Sequence, residues 1–279
     1  MGSVDEGAVA DHYGSGELRS RVFEAIARSG LELRNLRPVD LAPVDEFHMG
    51  GRAATVDIVA ATGLGAADRV LDIGSGLGGL VRYLASEIGC RVTGLDLTPD
   101  YVEISREFTD LTGLSDKADF VLGSALALPF DDGTFSAALT FHVGMNIADR
   151  ETMYREAFRV LQPGGKLVIY DVLKGAEPGM RFPVPWADTQ ETSHLVTADE
   201  LGRHLSTAGF TILVEQDRTP IVLNHHRARV AEMSTGTPPP PLGLHLLQGS
   251  TAKEKSQNMI AMAEAGQIAL GLVIARKGD

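Results

Sequence analysis

The chain has 279 residues, 44% of them hydrophobic and 22% charged, with a formal net charge of −12; this is the profile of an ordinary globular protein, long enough for one large domain or two small ones and for a core that buries roughly 75% of the unfolded surface. The acidic balance argues against a nucleic-acid partner, which needs a basic face, although a local basic patch is compatible with the total. A single cysteine, Cys90, excludes an intrachain disulfide and a metal site built on cysteines. No stretch approaches ~20 uninterrupted apolar residues, so no membrane span is expected. The first residues, Met1 to Glu6, lack a basic-then-apolar signal pattern, and a cytoplasmic protein is the expectation.

Residues 1–16 are polar and Gly-rich and read as a loose start. Leu18, Val22 and Ile26 then form a helical stripe over 17–29, stopped by Gly30. Residues 34–51 show no clear period; they carry Pro38, Pro43 and the string Phe47-His48-Met49-Gly50-Gly51. A second helix is expected over 52–61, before Gly63. From Arg69 strands and helices alternate: strand 69–73, helix 79–88, strand 91–95, helix 99–112, strand 118–122, strand 135–140, helix 149–161 and strand 166–171. Thr98 and Pro99 make a cap and first-turn pair for the third of these helices. Cys90 enters an apolar strand and reads as a buried thiol. This alternation predicts right-handed crossovers and a parallel sheet.

A long connection follows over 174–196, with Pro178, Pro183, Pro185 and the only tryptophan, Trp186; loops of this length inside a compact domain are usually functional or disordered. Thr197 to Glu200 is a capping box that starts helix 198–208. Strand 210–217, a helical stretch over 221–235, a stiff polyproline segment over 237–243, helix 251–265 and strand 267–275 complete the chain.

The chemistry concentrates at Leu71-Asp72-Ile73-Gly74-Ser75-Gly76-Leu77-Gly78-Gly79. A strand running into a Gly-rich turn and then a helix is a cofactor cradle, because glycines let backbone approach a ligand and the helix start offers unpaired N–H groups. Alone, this pattern is shared by nicotinamide and flavin enzymes. Asp96, at the end of the second strand, stands where an acid can take both ribose hydroxyls of an adenosine.

Together with Gly94-Leu95-Asp96-Leu97, Leu128-Pro129-Phe130 and Leu161-Gln162-Pro163-Gly164-Gly165, this loop resembles the class I S-adenosylmethionine-dependent methyltransferases, over about residues 48 to 217. Within them the chain is similar to the type 11 group, which includes quinone-biosynthesis C-methyltransferases and sarcosine/dimethylglycine N-methyltransferases. The resemblance implies an α/β, Rossmann-like seven-stranded sheet of order 3-2-1-4-5-7-6 with strand 7 antiparallel. It implies a helical cap over 1–63, the S-adenosylmethionine-binding core over 64–220, a helical insertion over the acceptor site at 221–266, and the last strand from 267. The implied activity is methyl transfer from S-adenosylmethionine to a small-molecule acceptor, at N, C or O.

By position, Gly74, Ser75, Gly76 and Gly78 would line the methionine and ribose portion. Asp72 would order the loop and the amino group, Asp96 would take the ribose hydroxyls, and Leu97 would pack on the adenine. Where many relatives carry an aspartate after strand 3, this chain has Gly123-Ser124-Ala125; Ser124 can still accept one hydrogen bond, without a charge to assist it. Phe141, Ser124 and Ala125 complete the expected cofactor set.

The tip of strand 4, Thr140 to Asn146, would face the methyl group. Positioning supplies much of the rate of such an in-line displacement, and an O- or N-acceptor also needs a base, for which histidine suits neutral pH. His142 is the candidate; a histidine that only packs or bonds the cofactor is the alternative. Asn146 could orient a polar acceptor. His48 could touch substrate or the cofactor's carboxylate as part of a lid, or be a surface loop residue. Arg52 could pair with a carboxylate or stay solvated. Trp186 could stack on a flat ring or form part of a cation cage, or simply pack in the core. His225 and His226 lack enough companions for a metal site, and no metal is expected. Met259 and Met262 read as core filler. The expected partners are a small-molecule acceptor and, as an option, a second copy of the chain. The competing readings are a non-methylating protein of the same fold, as scaffold or with other S-adenosylmethionine chemistry, and a nicotinamide oxidoreductase.

Overall fold

The computed structural model describes residues 6–7, 17–233 and 240–278. Seven strands form one sheet: β1 (Arg69–Ile73), β2 (Arg91–Asp96), β3 (Ala118–Leu122), β4 (Phe135–Phe141), β5 (Leu161–Lys174), β6 (Phe210–Asp217) and β7 (Ile268–Lys277). Their order is β3-β2-β1-β4-β5-β7-β6. The first five pair in parallel, while β7 runs antiparallel to both β5 and β6. The doubly wound architecture implied by the resemblance is therefore present.

The period-2 geometry of strands divides the core into two layers. On β5, Val168, Tyr170 and Val172 face one layer, and Leu167, Ile169 and Leu173 face the other. The first layer is closed by α3 (Gly51–Thr62), α4 (Gly79–Tyr83), α8 (Thr219–Met233) and α10 (Ala252–Glu264), through Ile58, Val81, Val222 and Met262 among others. The second is closed by α6 (Arg150–Val160) and α7 (Ala198–Thr207), through Met153, Tyr154, Leu201 and Leu205. A third cluster joins α1 (Leu18–Arg28) and α2 (Pro38–Asp45) to α5 (Pro99–Leu111) and to Leu242 and Leu246, the latter in α9 (His245–Gln248).

Local sequence explains most element ends. The α1 stripe buries Leu18, Val22, Ala25 and Ile26. At α7 the reciprocal capping box forms, with Thr197 accepting from the Glu200 N–H and Glu200 accepting from the Thr197 N–H. Pro99 opens α5, but Thr98 does not cap it through its side chain; its N–H donates to Asp96 instead. Cys90 is fully buried and its thiol is pushed up to about 11, first by burial and then by Asp68.

Two stretches depart from the expected reading. Residues 38–45, without a visible period, form a helix. It is only eight residues long and it buries an aspartate, Asp45, beside Leu41 and Val44, so the apolar spacing is interrupted. The strand expected from 166 begins at Leu161, which pairs with Phe135 before the register shifts to Ala137 opposite Lys166; the Gln162–Gly165 turn is thus a bulge within β5. Residues 237–239 of the polyproline segment expected over 237–243, and all of the loose start over 1–16 but residues 6–7, lie outside the described residues. Among the described residues, no helix is long and apolar enough to cross a membrane.

Candidate active site

The strand order reverses between β1, which continues towards β2 and β3, and β4, which continues towards β5. A crevice opens at the carboxyl ends of such strands. Here it is a cavity of about 1480 Å³, walled by the Gly74–Gly76 turn, the β2 and β4 ends, the 46–52 loop and the 222–260 segment.

The glycine turn is held from β2. The N–H groups of Gly74 and Ser75 donate to the Leu95 carbonyl at 2.7 and 3.0 Å, and the Gly76 N–H donates to Asp96 Oδ2 at 2.7 Å. The other Asp96 oxygen accepts from the Thr98 N–H at 2.9 Å. Gly74 has φ +77 and a Cβ there would collide with Val143, so both the turn and the β4 tip require glycine. Gly76 has φ +54 and nothing stands within 4 Å of a Cβ placed on it, so the space beside it is open. Gly78, by contrast, lies behind the cavity against Phe120 and Arg82.

Asp72 is 2% exposed. Burial, then Asp96, then Glu46 push its carboxyl well above the ordinary range, and no cation of the described chain offsets them. Asp96 is also raised by burial, with backbone N–H groups of Thr98 and Gly76 working against it. The glycine end of the cavity thus holds two buried acids whose ionised forms a positively charged ligand would favour.

On the opposite wall, His48 Nε2 lies 3.0 Å from Glu46 Oε2 and 3.1 Å from Thr55 Oγ1. The Thr55 hydroxyl donates to the same carboxylate oxygen at 2.6 Å, and Arg52 reaches Glu46 Oε1 at 3.5 Å. Burial raises the Glu46 carboxyl, but His48, Thr55 and Arg52 together outweigh it and leave it below its ordinary range. An ionised carboxylate only accepts, so Nε2 of His48 carries a proton. Arg52 also stacks on Tyr83, 4.3 Å from the ring centre, and its side chain stays partly exposed.

His142 packs its ring 5.1 Å from Tyr170 and 5.9 Å from His48. It is the one described non-glycine residue at positive φ, +56, a conformation that costs about 1–2 kcal/mol outside glycine. Its N–H donates to the Tyr170 carbonyl at 2.7 Å, and its Nε2 has no hydrogen-bond partner. Burial, and secondarily His48, hold the ring well below the ordinary imidazole range. His142 is therefore a neutral ring with an open nitrogen at the cavity wall.

The rest of the β4 tip is tied down from behind. Asp171 Oδ2 accepts from the Met145 N–H at 3.1 Å and from Arg150 at 3.4 Å, while Arg150 also donates to the His194 carbonyl at 3.1 Å. Asn146 is buried, and its Nδ2 donates to the Trp186 carbonyl at 2.7 Å. Trp186 is 1% exposed and its indole N–H donates to Ser193 at 3.0 Å. Both residues touch the cavity; the Asn146 amide joins the tip to the 183–196 loop, and the Trp186 indole bonds within that loop.

The cavity brings together most of the residues selected from sequence: Asp72, Gly74, Ser75, Gly76, Asp96, Leu97, Ala125, Phe141, His142, His48, Asn146 and Trp186. Gly78 and Ser124 stand outside its lining. The Ser124 hydroxyl donates to Glu6, a carboxylate that does line it. Sequence reasoning missed Glu46, Thr55, Tyr170 and the lining His245, and weighed the lining His225 and His226 only as metal ligands. An acid two residues before His48, on a loop leading to a helix with Thr55 one turn in, was the signal available for the first pair.

Residues 71–169 match the family model described as "Methyltransferase domain". Over that segment the chain is similar to this family. The domain's matched segment runs from β1 into β5 and so includes the glycine turn, Asp96 and the His142 tip. Methyltransferase GfsG of Streptomyces halstedii is 31% identical over 134 residues, 48% of each chain. Erythromycin 3''-O-methyltransferase of Saccharopolyspora erythraea is 32% identical over 164 residues, 55% of this chain and 54% of that protein. The chain thus spans about half the length of the curated relatives it matches. Among solved structures, the [4+2]-cyclase SpnF superimposes with a TM-score of 0.62 at 25% identity, covering 81% of this chain and 80% of the other.

Proposed function

We propose that the chain transfers a methyl group from S-adenosylmethionine to a small-molecule acceptor. The observation that carries this reading is Asp72: a buried carboxylate, pressed by Asp96 and Glu46 and offset by no cation, beside a turn whose Gly76 leaves room for a ligand. A ligand with a protonated amine, a ribose and a positive sulfur fits that pocket. Asp72 would hold the amine, the remaining lone pairs of Asp96 the ribose hydroxyls, and Leu97 the adenine.

When bound, S-adenosylmethionine supplies an electrophilic methyl group on a positively charged sulfur. The chain's own contribution is mainly positioning. The β4 tip, braced by Asp171, Arg150 and Asn146, sets His142 at the cavity wall, and its open Nε2 can accept a hydrogen bond or a proton from an acceptor's O–H or N–H. Glu46 and Thr55 fix the rotamer and tautomer of His48 beside it. Segments 1–63 and 221–266 act as the roof; residues from both line the cavity.

The test is heat protection followed by turnover. S-adenosylhomocysteine should raise the melting temperature and NADH should not; the reverse result would make the protein a nicotinamide enzyme. The neighbour named a [4+2]-cyclase marks the other competing outcome, in which cofactor binds and its methyl group stays in place.

A further inference from the structure

The cavity is larger than one cofactor needs. Its ~1480 Å³ exceeds the roughly 300–1,000 Å³ of a site for one drug-sized ligand, so a bulky second ligand fits beside the first. Val222, Leu242, Leu244, Met259 and Ile260 give that second lobe an apolar wall.

The charges of the roof are sorted. Between residues 222 and 260, the described titratable residues that line the cavity are His225, His226, His245 and Lys253, with no acid among them. None of these four makes an ion pair or side-chain hydrogen bond with a described residue. The described bases of the same segment that do not line the cavity are matched, Lys255 with Asp188 at 2.9 Å and Arg227 with Glu264 at 3.1 Å, as is Arg218 just before it with Asp57. In a chain with 37 acids and 25 Lys and Arg residues, an acid-free set of unmatched donors on one cavity wall stands out. The acids that line the cavity, Glu6, Asp45, Glu46, Asp72, Asp96 and Asp149, all come from outside that segment.

We propose that the acceptor has a bulky apolar body and an anionic group, carboxylate or phosphate, at the end remote from the methylated atom. The apolar wall takes the body, while Lys253 and the three histidines take the anion at the mouth. This rests on the reading of the cavity as the methyl-transfer site. Methyl transfer then breaks the sulfur–methyl bond, leaves its electron pair on sulfur, and joins the methyl to the acceptor, whose displaced proton passes to His142 or to water.

The experiment is calorimetric titration of the protein saturated with S-adenosylhomocysteine. The probes are dodecanoate, dodecyl phosphate, dodecanol and dodecyltrimethylammonium, each below its micelle threshold. The two anions should bind about tenfold or more tighter than the alcohol, and the cation more weakly still. Whichever anion is preferred separates carboxylate from phosphate recognition. The double variant Lys253→Glu with His245→Glu should lose that preference while keeping its melting temperature and its affinity for S-adenosylhomocysteine. Equal binding of alcohol and anions, preference for the cation, no probe bound, or an unchanged preference in the variant overturns the proposal. Failure of S-adenosylhomocysteine itself to bind would overturn the methyl-transfer reading instead.

Discussion

Arg82 has no exposed surface, and its guanidinium holds Asp45 Oδ2 at 2.6 Å and the Leu77 carbonyl at 2.5 Å. Burial raises the Asp45 carboxyl and Arg82 lowers it, leaving it at about 6. Removing one partner of a buried pair strands the other, so Arg82→Ala should cost about 3–5 kcal/mol in urea unfolding. Asp72 gives a pH prediction. Its raised folded value means that the ligand-free protein gains stability as pH falls through that value and loses it as pH rises. A bound amine favours the ionised form, so the melting-temperature rise produced by S-adenosylhomocysteine should be larger at about pH 8 than at about pH 6. In Asp72→Asn that pH difference should vanish and affinity should fall by about 2 kcal/mol; a protection independent of pH in the wild type would remove Asp72 from the cofactor site. His142 has the opposite sign. Its depressed folded value makes it cost stability as pH falls below the ordinary imidazole range, so His142→Gln should become more stable relative to wild type, by about 1 kcal/mol, between about pH 7.5 and pH 5. Thermal melts of the pair across that interval check it.

At the scale of elements, the β4 tip and the 183–196 loop behave as one unit, since Asn146, Arg150, His194 and Met145 exchange hydrogen bonds across them. Asn146→Ala leaves the buried Trp186 carbonyl without this donor and should cost about 1–3 kcal/mol. The loss of turnover should exceed what the lost stability explains, because the tip carries His142; equal losses would mean that the joint only stabilises. Element ends were legible wherever punctuation was local, as with Thr197-Glu200 at α7 or Pro99 at α5. They were not legible where a tertiary contact decided, as in α2, whose buried face includes Asp45 only because Arg82 arrives from α4. The start of β5 has the same cause: Leu161 continues the α6 pattern in sequence, but pairing with Phe135 makes it strand.

For the whole molecule, the alternation of strands with helices made a parallel sheet readable, while the strand order came from the family resemblance that the glycine turn and Asp96 helped to carry. The wall formed by His225, His245 and Lys253 was not readable, because these residues lie apart in the chain and their spacing carries no period. Asn146 and Trp186 show the same limit from the other side: Asn146 donates its amide to the Trp186 carbonyl, and Trp186 its indole N–H to Ser193. The most direct test of the central claim is to incubate the protein with S-adenosylmethionine labelled in the methyl group, together with cell extract, and to follow the label. The account predicts that label appears on a small molecule together with an equal amount of S-adenosylhomocysteine, and that Asp72→Asn slows this at fixed cofactor concentration. Label that stays on the bound cofactor in every extract would contradict it.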